Sequence, residues 1–97
     1  VRKNLAESRF KSQAELLYKI RKGLDLTQID IAKQIGVSSQ ITSATERGLQ
    51  GLATEHWRKI LSTIPGVESV ATPMCLEKAL VEDFVNDFWK KFQADQK

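Results

Sequence analysis

Thr27-Gln28-Ile29-Asp30-Ile31-Ala32-Lys33-Gln34-Ile35-Gly36-Val37-Ser38-Ser39-Gln40-Ile41-Thr42-Ser43-Ala44-Thr45-Glu46-Arg47-Gly48 is the stretch on which the fold turns. A hydroxyl at Thr27 can accept a bond from the orphan N–H groups that open a helix, and the spacing predicts a short helix to about Ile35. Its inward face is Ile31, Ala32 and Ile35. Gly36 breaks it, Ser38 or Ser39 opens a second short helix to about Arg47, and Gly48 closes that one. Two helices that meet steeply need a small side chain where they touch, which Ala32 supplies. The tight turn between them needs a residue tolerant of positive φ, which Gly36 supplies. Val37 plugs the turn into the core. The second helix carries short polar residues, Ser38, Ser39, Gln40, Thr42 and Ser43. Short hydroxyl side chains are poor helix formers, and a solvated helix with no ligand favours Glu, Lys and Ala. They are good readers of base edges and phosphates, so the pattern predicts a recognition helix in the major groove of double-stranded DNA.

Upstream, Phe10, Ala14, Leu17, Ile20 and Leu24 recur at three and four, which predicts a helix over residues 6–22 with Gly23 as its cap. Residues 1–5 read as a frayed basic arm. Downstream, Thr54 can cap a fourth helix with Trp57, Ile60, Leu61 and Ile64 on one face. Pro65-Gly66 stops it, and residues 65–73 read as a linker that can carry the rest of the chain away from the core. Thr72-Pro73 is an N-cap followed by proline at the first helical position, opening a fifth helix to about Phe92.

That last helix has two apolar rows. Leu76, Leu80, Phe84, Phe88 and Phe92 recur every four residues, and Val81, Val85 and Trp89 form the second row. Together they sweep about 220° of the helix at 100° per residue, whereas one packing face needs little more than about 100°. The excess predicts assembly of subunits through this helix, with Asp83, Asp87, Lys90 and Lys91 on the remaining polar strip.

Charge is divided along the chain. Residues 1–59 hold eleven Lys/Arg against six Asp/Glu, and residues 60–97 hold four against six, so +5 and −2 make the net +3. A basic front and a mildly acidic tail suit a polyanion reader with a separate second role. The single cysteine, Cys75, has no partner for an internal disulfide, and no Cys/His cluster suggests a metal; no cofactor is expected. No apolar run reaches the length of a membrane span, and the expected location is the cytoplasm. His56 is an ordinary helix residue, Asp25 and Asp30 form no recognisable catalytic pair, and no nucleophile, base and orienting group can be assembled, so an enzyme is not expected.

Thr27-Gln28, Ala32, Gly36-Val37-Ser38 and Glu46-Arg47-Gly48 together resemble the lambda repressor-like helix-turn-helix superfamily over roughly residues 15–64. Within it the whole chain resembles the CII transcription activators of lambda-type phages. The likeness lies in Val1-Arg2-Lys3-Asn4, the Gly36-Val37 turn, Ser39-Gln40-Ile41-Thr42 and the Pro/Gly-containing linker before a final helix. The resemblance implies Gln28 as a phosphate anchor and Arg47 as a structural or phosphate-contacting arginine. It also implies an activator beside the promoter's −35 region in a bacterial host, tetrameric, on direct repeats, with RNA polymerase as a further partner. The superfamily places isoleucine six residues after the turn glycine and another apolar residue three later, where this chain has Thr42 and Thr45; Ile41 and Ala44 come one residue early. Two rotations of the recognition helix, about 100° apart, are therefore open. Ser39, Gln40 and Ser43 are exposed in both, Thr42 in one.

The expected architecture is all-α, with a helix-turn-helix domain at residues 1–64, a linker at 65–73 and an oligomerisation helix at 74–97. The expected DNA-binding residues are Gln28, Lys33, Ser38, Ser39, Gln40, Thr42, Ser43 and Arg47. The expected assembly residues are Leu76, Leu80, Val81, Phe84, Val85, Phe88, Trp89 and Phe92. The competing expectations are a repressor of the Cro or prophage type, and an antitoxin whose last helix grips a toxin.

Overall fold

The computed structural model describes residues 10–95, apart from the side chains of Asp87, Lys90 and residues 92–95. The expected arm, the first turn of the expected first helix and the assembly role of Phe92 lie outside the described residues. Five helices occur in order: α1 (Lys11–Gly23), α2 (Gln28–Ile35), α3 (Ser39–Glu46), α4 (Thr54–Thr63) and α5 (Pro73–Asp95), with a 3-10 turn at Val67–Ser69. The described residues contain no strand, and no helix among them is long and apolar enough to cross a membrane.

The local signals act where the sequence places them. Thr27 Oγ1 accepts from the Asp30 N–H at 3.0 Å, and Asp30 Oδ2 accepts from the Thr27 N–H at 2.9 Å, a reciprocal cap on α2. Gly36 ends α2 at φ 77°, and nothing lies within 4 Å of where a Cβ would stand. Backbone conformation, not space, thus requires glycine there. Thr72 Oγ1 accepts from the Cys75 N–H at 3.3 Å, opening α5 ahead of Pro73. Two details differ. Ala53, not Thr54, holds the cap position of α4, and Leu24 rather than Gly23 is the C-cap of α1, with Asp25 taking positive φ (55°). Gly23 serves packing instead: a Cβ there would stand 3.0 Å from Val70 Cγ2.

Helix α1 is the hub, packed against α3 on one side and α5 on the other, while α2 packs on α3 and α4. Leu17, Ile20, Ile31, Ile35, Trp57 and Ile60 form the centre of the core. Gln13 is buried there because its Oε1 accepts from both the Leu52 N–H (3.0 Å) and the Trp57 indole N–H (3.1 Å). One amide thereby ties α1 to the α3–α4 loop and to α4.

The expected linker is packed rather than free. Val67 and Ala71 are buried in the same core, and α5 lies along α1 instead of being carried away. This corrects two assembly assignments. Leu76 is buried in the chain's own core and so is not available to a second subunit, and half-buried Leu80 packs against that core and offers only its remaining surface. It also corrects the polar strip. Asp83 is 4 % exposed and faces inward, accepting the Ser12 N–H at 2.8 Å and the Gln13 N–H at 3.0 Å. A carboxylate from α5 thus satisfies two of the N–H groups that α1 leaves unpaired at its start.

Candidate nucleic-acid interface

The rotation of α3 is the geometric question, and burial answers it. Thr42 and Thr45 are fully buried, while Ile41 and Ala44 are half-buried. The helix therefore presents its threonines inward, at the positions where the superfamily pattern has apolar residues. Both inward hydroxyls are bonded: Thr42 Oγ1 donates toward Ser39 O (2.9 Å) and Gln28 O (3.1 Å), and Thr45 Oγ1 to Ile41 O (2.9 Å). A buried hydroxyl without such a partner would cost about 1–3 kcal/mol.

Thr42 is thereby corrected from a DNA contact to a joint between α3 and α2. Thr42→Val, which keeps the shape, is expected to change stability by no more than about 1.5 kcal/mol. The larger Thr42→Gln overpacks and should cost about 1–3 kcal/mol. Urea unfolding measures both, and if α3 is a DNA-reading helix Thr42→Val should leave that binding unchanged. A valine variant of normal stability that had lost specific binding would return Thr42 to the contact surface.

With that rotation fixed, Gln40, Ser43, Ala44 and Arg47 share one outward stripe about 100° wide, and Ser39 stands at its amino-terminal edge. Ser38, Ser39, Gln40 and Arg47 are exposed and Ser43 half-exposed. The side chains of Ser38, Ser39, Gln40 and Ser43 hydrogen-bond to nothing among the described residues. Arg47 reaches back only weakly, Nε to Ser43 O at 3.4 Å. The hydroxyls of one short helix thus divide by face, bonded inward and unspent outward. Ala44 is legible in the sequence only as an apolar residue one place early; its methyl sits among the outward polar groups, where it suits contact with a thymine methyl.

Helix α2 contributes less evenly. Gln28 is half-buried, its carbonyl oxygen tied to Thr42, so it lies against the first turn of α3. Lys33 is exposed, but five residues on it stands about 140° round the helix from Gln28. The two do not form one line. The amino end of α2 also carries Asp30, whose pKa is lowered chiefly by the bond from the Thr27 N–H. It stays ionised at neutral pH and works against a phosphate at Gln28.

Behind α3, Glu46 is buried and paired with Arg21 of α1: Nε to Oε2 at 2.6 Å and Nη2 to Oε1 at 3.0 Å. The Arg21 guanidinium also points to Leu26 O at 3.4 Å and lies 5.4 Å from the Tyr18 ring centre. Hydrogen bonding to Glu46 raises its pKa further. This fork fixes the carboxyl end of α3 on α1, and the sequence offers no sign that Arg21 and Glu46 meet across 25 residues. Set against models of known families, curated proteins and solved structures, the chain matches none, so its function is read from this geometry and from the sequence pattern.

Proposed function

We propose that the chain is a sequence-specific double-stranded DNA-binding regulator of transcription. It reads the major groove with α3 and assembles through the outward face of α5. The observation that carries the reading is the division of polar groups on α3: Thr42 and Thr45 spent inside, Ser39, Gln40, Ser43 and Arg47 offered outside. A glutamine amide can bond bidentately to adenine, and hydroxyls and arginine serve bases or phosphates. The resemblance to CII activators adds direct repeats near the −35 region, a homotetramer and contact with RNA polymerase. A Cro-type repressor would use the same reading surface, with the sign of regulation reversed.

Selection of bound duplexes from random DNA tests this. Gln40→Ala should cost about 1–3 kcal/mol at the selected site and relax the preference at one base position. Its salt dependence should match the wild type, because Gln40 neutralises no phosphate. Equal binding of both proteins to selected and random duplex would falsify the recognition-helix reading. A flat dependence of affinity on salt for the wild type would instead favour a protein partner, the antitoxin reading, for which the exposed apolar face of α5 is the specific support.

A further inference from the structure

Helix α5 carries one spacing twice. Leu76, Ala79, Leu80 and Asp83 stand at i, i+3, i+4 and i+7 and form the face docked on the chain's own body. Five residues on, Val81, Phe84, Val85 and Phe88 repeat that spacing and are exposed. Sliding the helix by five residues, about 7.5 Å along its axis with a turn of about 140°, would exchange one set for the other.

The exposed set is the more apolar of the two. It has two phenylalanines and two valines, against two leucines, an alanine and a carboxylate. Side chain for side chain the exposed set is thus the more apolar, although the shift would also disturb the entry to α5, where Val67 and Ala71 are packed in the core. The feature that opposes the shift most specifically is Asp83. Its two carboxylate oxygens accept the Ser12 and Gln13 N–H groups at 2.8 and 3.0 Å, and neighbouring Glu82 accepts the Ser12 hydroxyl at 2.9 Å. With Phe88 in that place, both amides would stand at the start of α1 without an acceptor. Ala79 contributes in the same sense, since a phenylalanine in its position must force its neighbours apart.

We propose that Asp83 is a positioning residue that fixes the register of α5 on α1 and so holds the more apolar face of the helix outward. A buried polar group that selects one packing among near-equivalents is the best-attested use of such groups. The register is a property of the single chain; that the outward face then meets a second copy rests on the self-assembly reading above.

The test is a pair of disulfide crosslinks in a Cys75→Ser background, which removes the one native cysteine. Ser12→Cys is combined either with Glu82→Cys, its neighbour in the present register, or with Asp87→Cys, its neighbour after a five-residue slide. With Asp83 intact, oxidation should close 12–82 within one chain and leave 12–87 open. In Asp83→Ala the 12–82 product should be lost and 12–87 should replace it. Asp83→Asn keeps one acceptor oxygen and should give both products, and it decides the matter if the alanine variant does not fold. Should 12–82 remain the sole product in every folded variant, the proposal is overturned. Sedimentation of the wild type separates the two readings, since a monomeric wild type would overturn self-assembly while the crosslinks still report the register.

Discussion

Arg21→Ala is expected to destabilise the protein by about 3–5 kcal/mol, the cost of leaving one member of a buried ion pair without its partner. Small domains have about 5–15 kcal/mol in total, so this is a large share. The Glu46 side chain is 5 % exposed and that of Arg21 16 %, which lets some water reach the arginine and places the effect toward the lower end. Removing Arg21 strands the carboxylate of Glu46. Removing Glu46 strands a guanidinium that keeps only the 3.4 Å contact to Leu26 O and the Tyr18 ring. Replacing both with apolar residues of similar size, Arg21→Met with Glu46→Leu, should recover most of the loss, because the desolvation of two charges disappears with them. Urea unfolding of the two single variants and the double variant reads out the coupling. Single variants that each cost under about 1 kcal/mol would put the pair in the class of solvent-screened surface bridges. On the proposed function DNA affinity should also fall in the single variants, since Glu46 closes the helix that carries Gln40.

Much of the fold is legible in the sequence because its signals are local. Thr27, Gly36, the Thr72-Pro73 opening and the apolar spacing of α4 each act on residues three or four away, and each acts as the sequence predicts. The joints are illegible because their partners are distant in the chain. Gln13 reaches Leu52 and Trp57, Arg21 reaches Glu46, and Asp83 reaches back about 70 residues to the start of α1. A polar residue bound for the core is indistinguishable in sequence from one bound for solvent, so spacing alone puts Asp83 on a wet strip. The rotation of α3 is ambiguous for a related reason. Threonine suits either face, inward when its hydroxyl finds a carbonyl and outward otherwise, and only tertiary packing decides between them. The outward residues Ser39, Gln40 and Ser43 escape that ambiguity because both rotations expose them. The extent of α5 is legible to within a turn, but its two apolar rows look in sequence as if they served one purpose. The structure splits the first row along its length, Leu76 and Leu80 inward and Phe84 and Phe88 outward, and leaves the second row outward with the latter.

Phe88→Asp is expected to abolish self-association while leaving the folded chain intact, and the division of α5 into faces is the reason. At 100° per residue the inward set centres about 160° away from the outward one, so no rotation of the docked helix can bury both on one body. Val81, Phe84, Val85, Phe88 and Trp89 are 59, 72, 49, 59 and 54 % exposed. A fully buried aromatic covers about 150–250 Å², so the exposed parts of these three rings alone make on the order of 300–450 Å² per chain. That already matches the largest apolar patch of an ordinary monomer, before the valines are added. Two such faces together bury about 1,000 Å², the lower bound for a specific interface. Phe88 lies within the outward set, one turn from Phe84 and beside Trp89, where a carboxylate would be desolvated without a partner in each of the two chains. The expected loss is about 3 kcal/mol or more, on the order of a hundredfold in the dissociation constant. Assembly also has a use in the proposed function, because one recognition helix contacts few base pairs and linking two readers raises their effective affinity without any new contact. Sedimentation of wild type and Phe88→Asp at tens of micromolar, with thermal unfolding of both, decides the matter. Self-assembly requires the wild type to be a dimer or larger and the variant a folded monomer that still unfolds cooperatively, at a midpoint independent of its concentration and below the wild type's by what association supplies. A wild type that sediments as a monomer at that concentration sinks the claim, and a variant that unfolds would mean that Phe88 holds the chain's own core together instead.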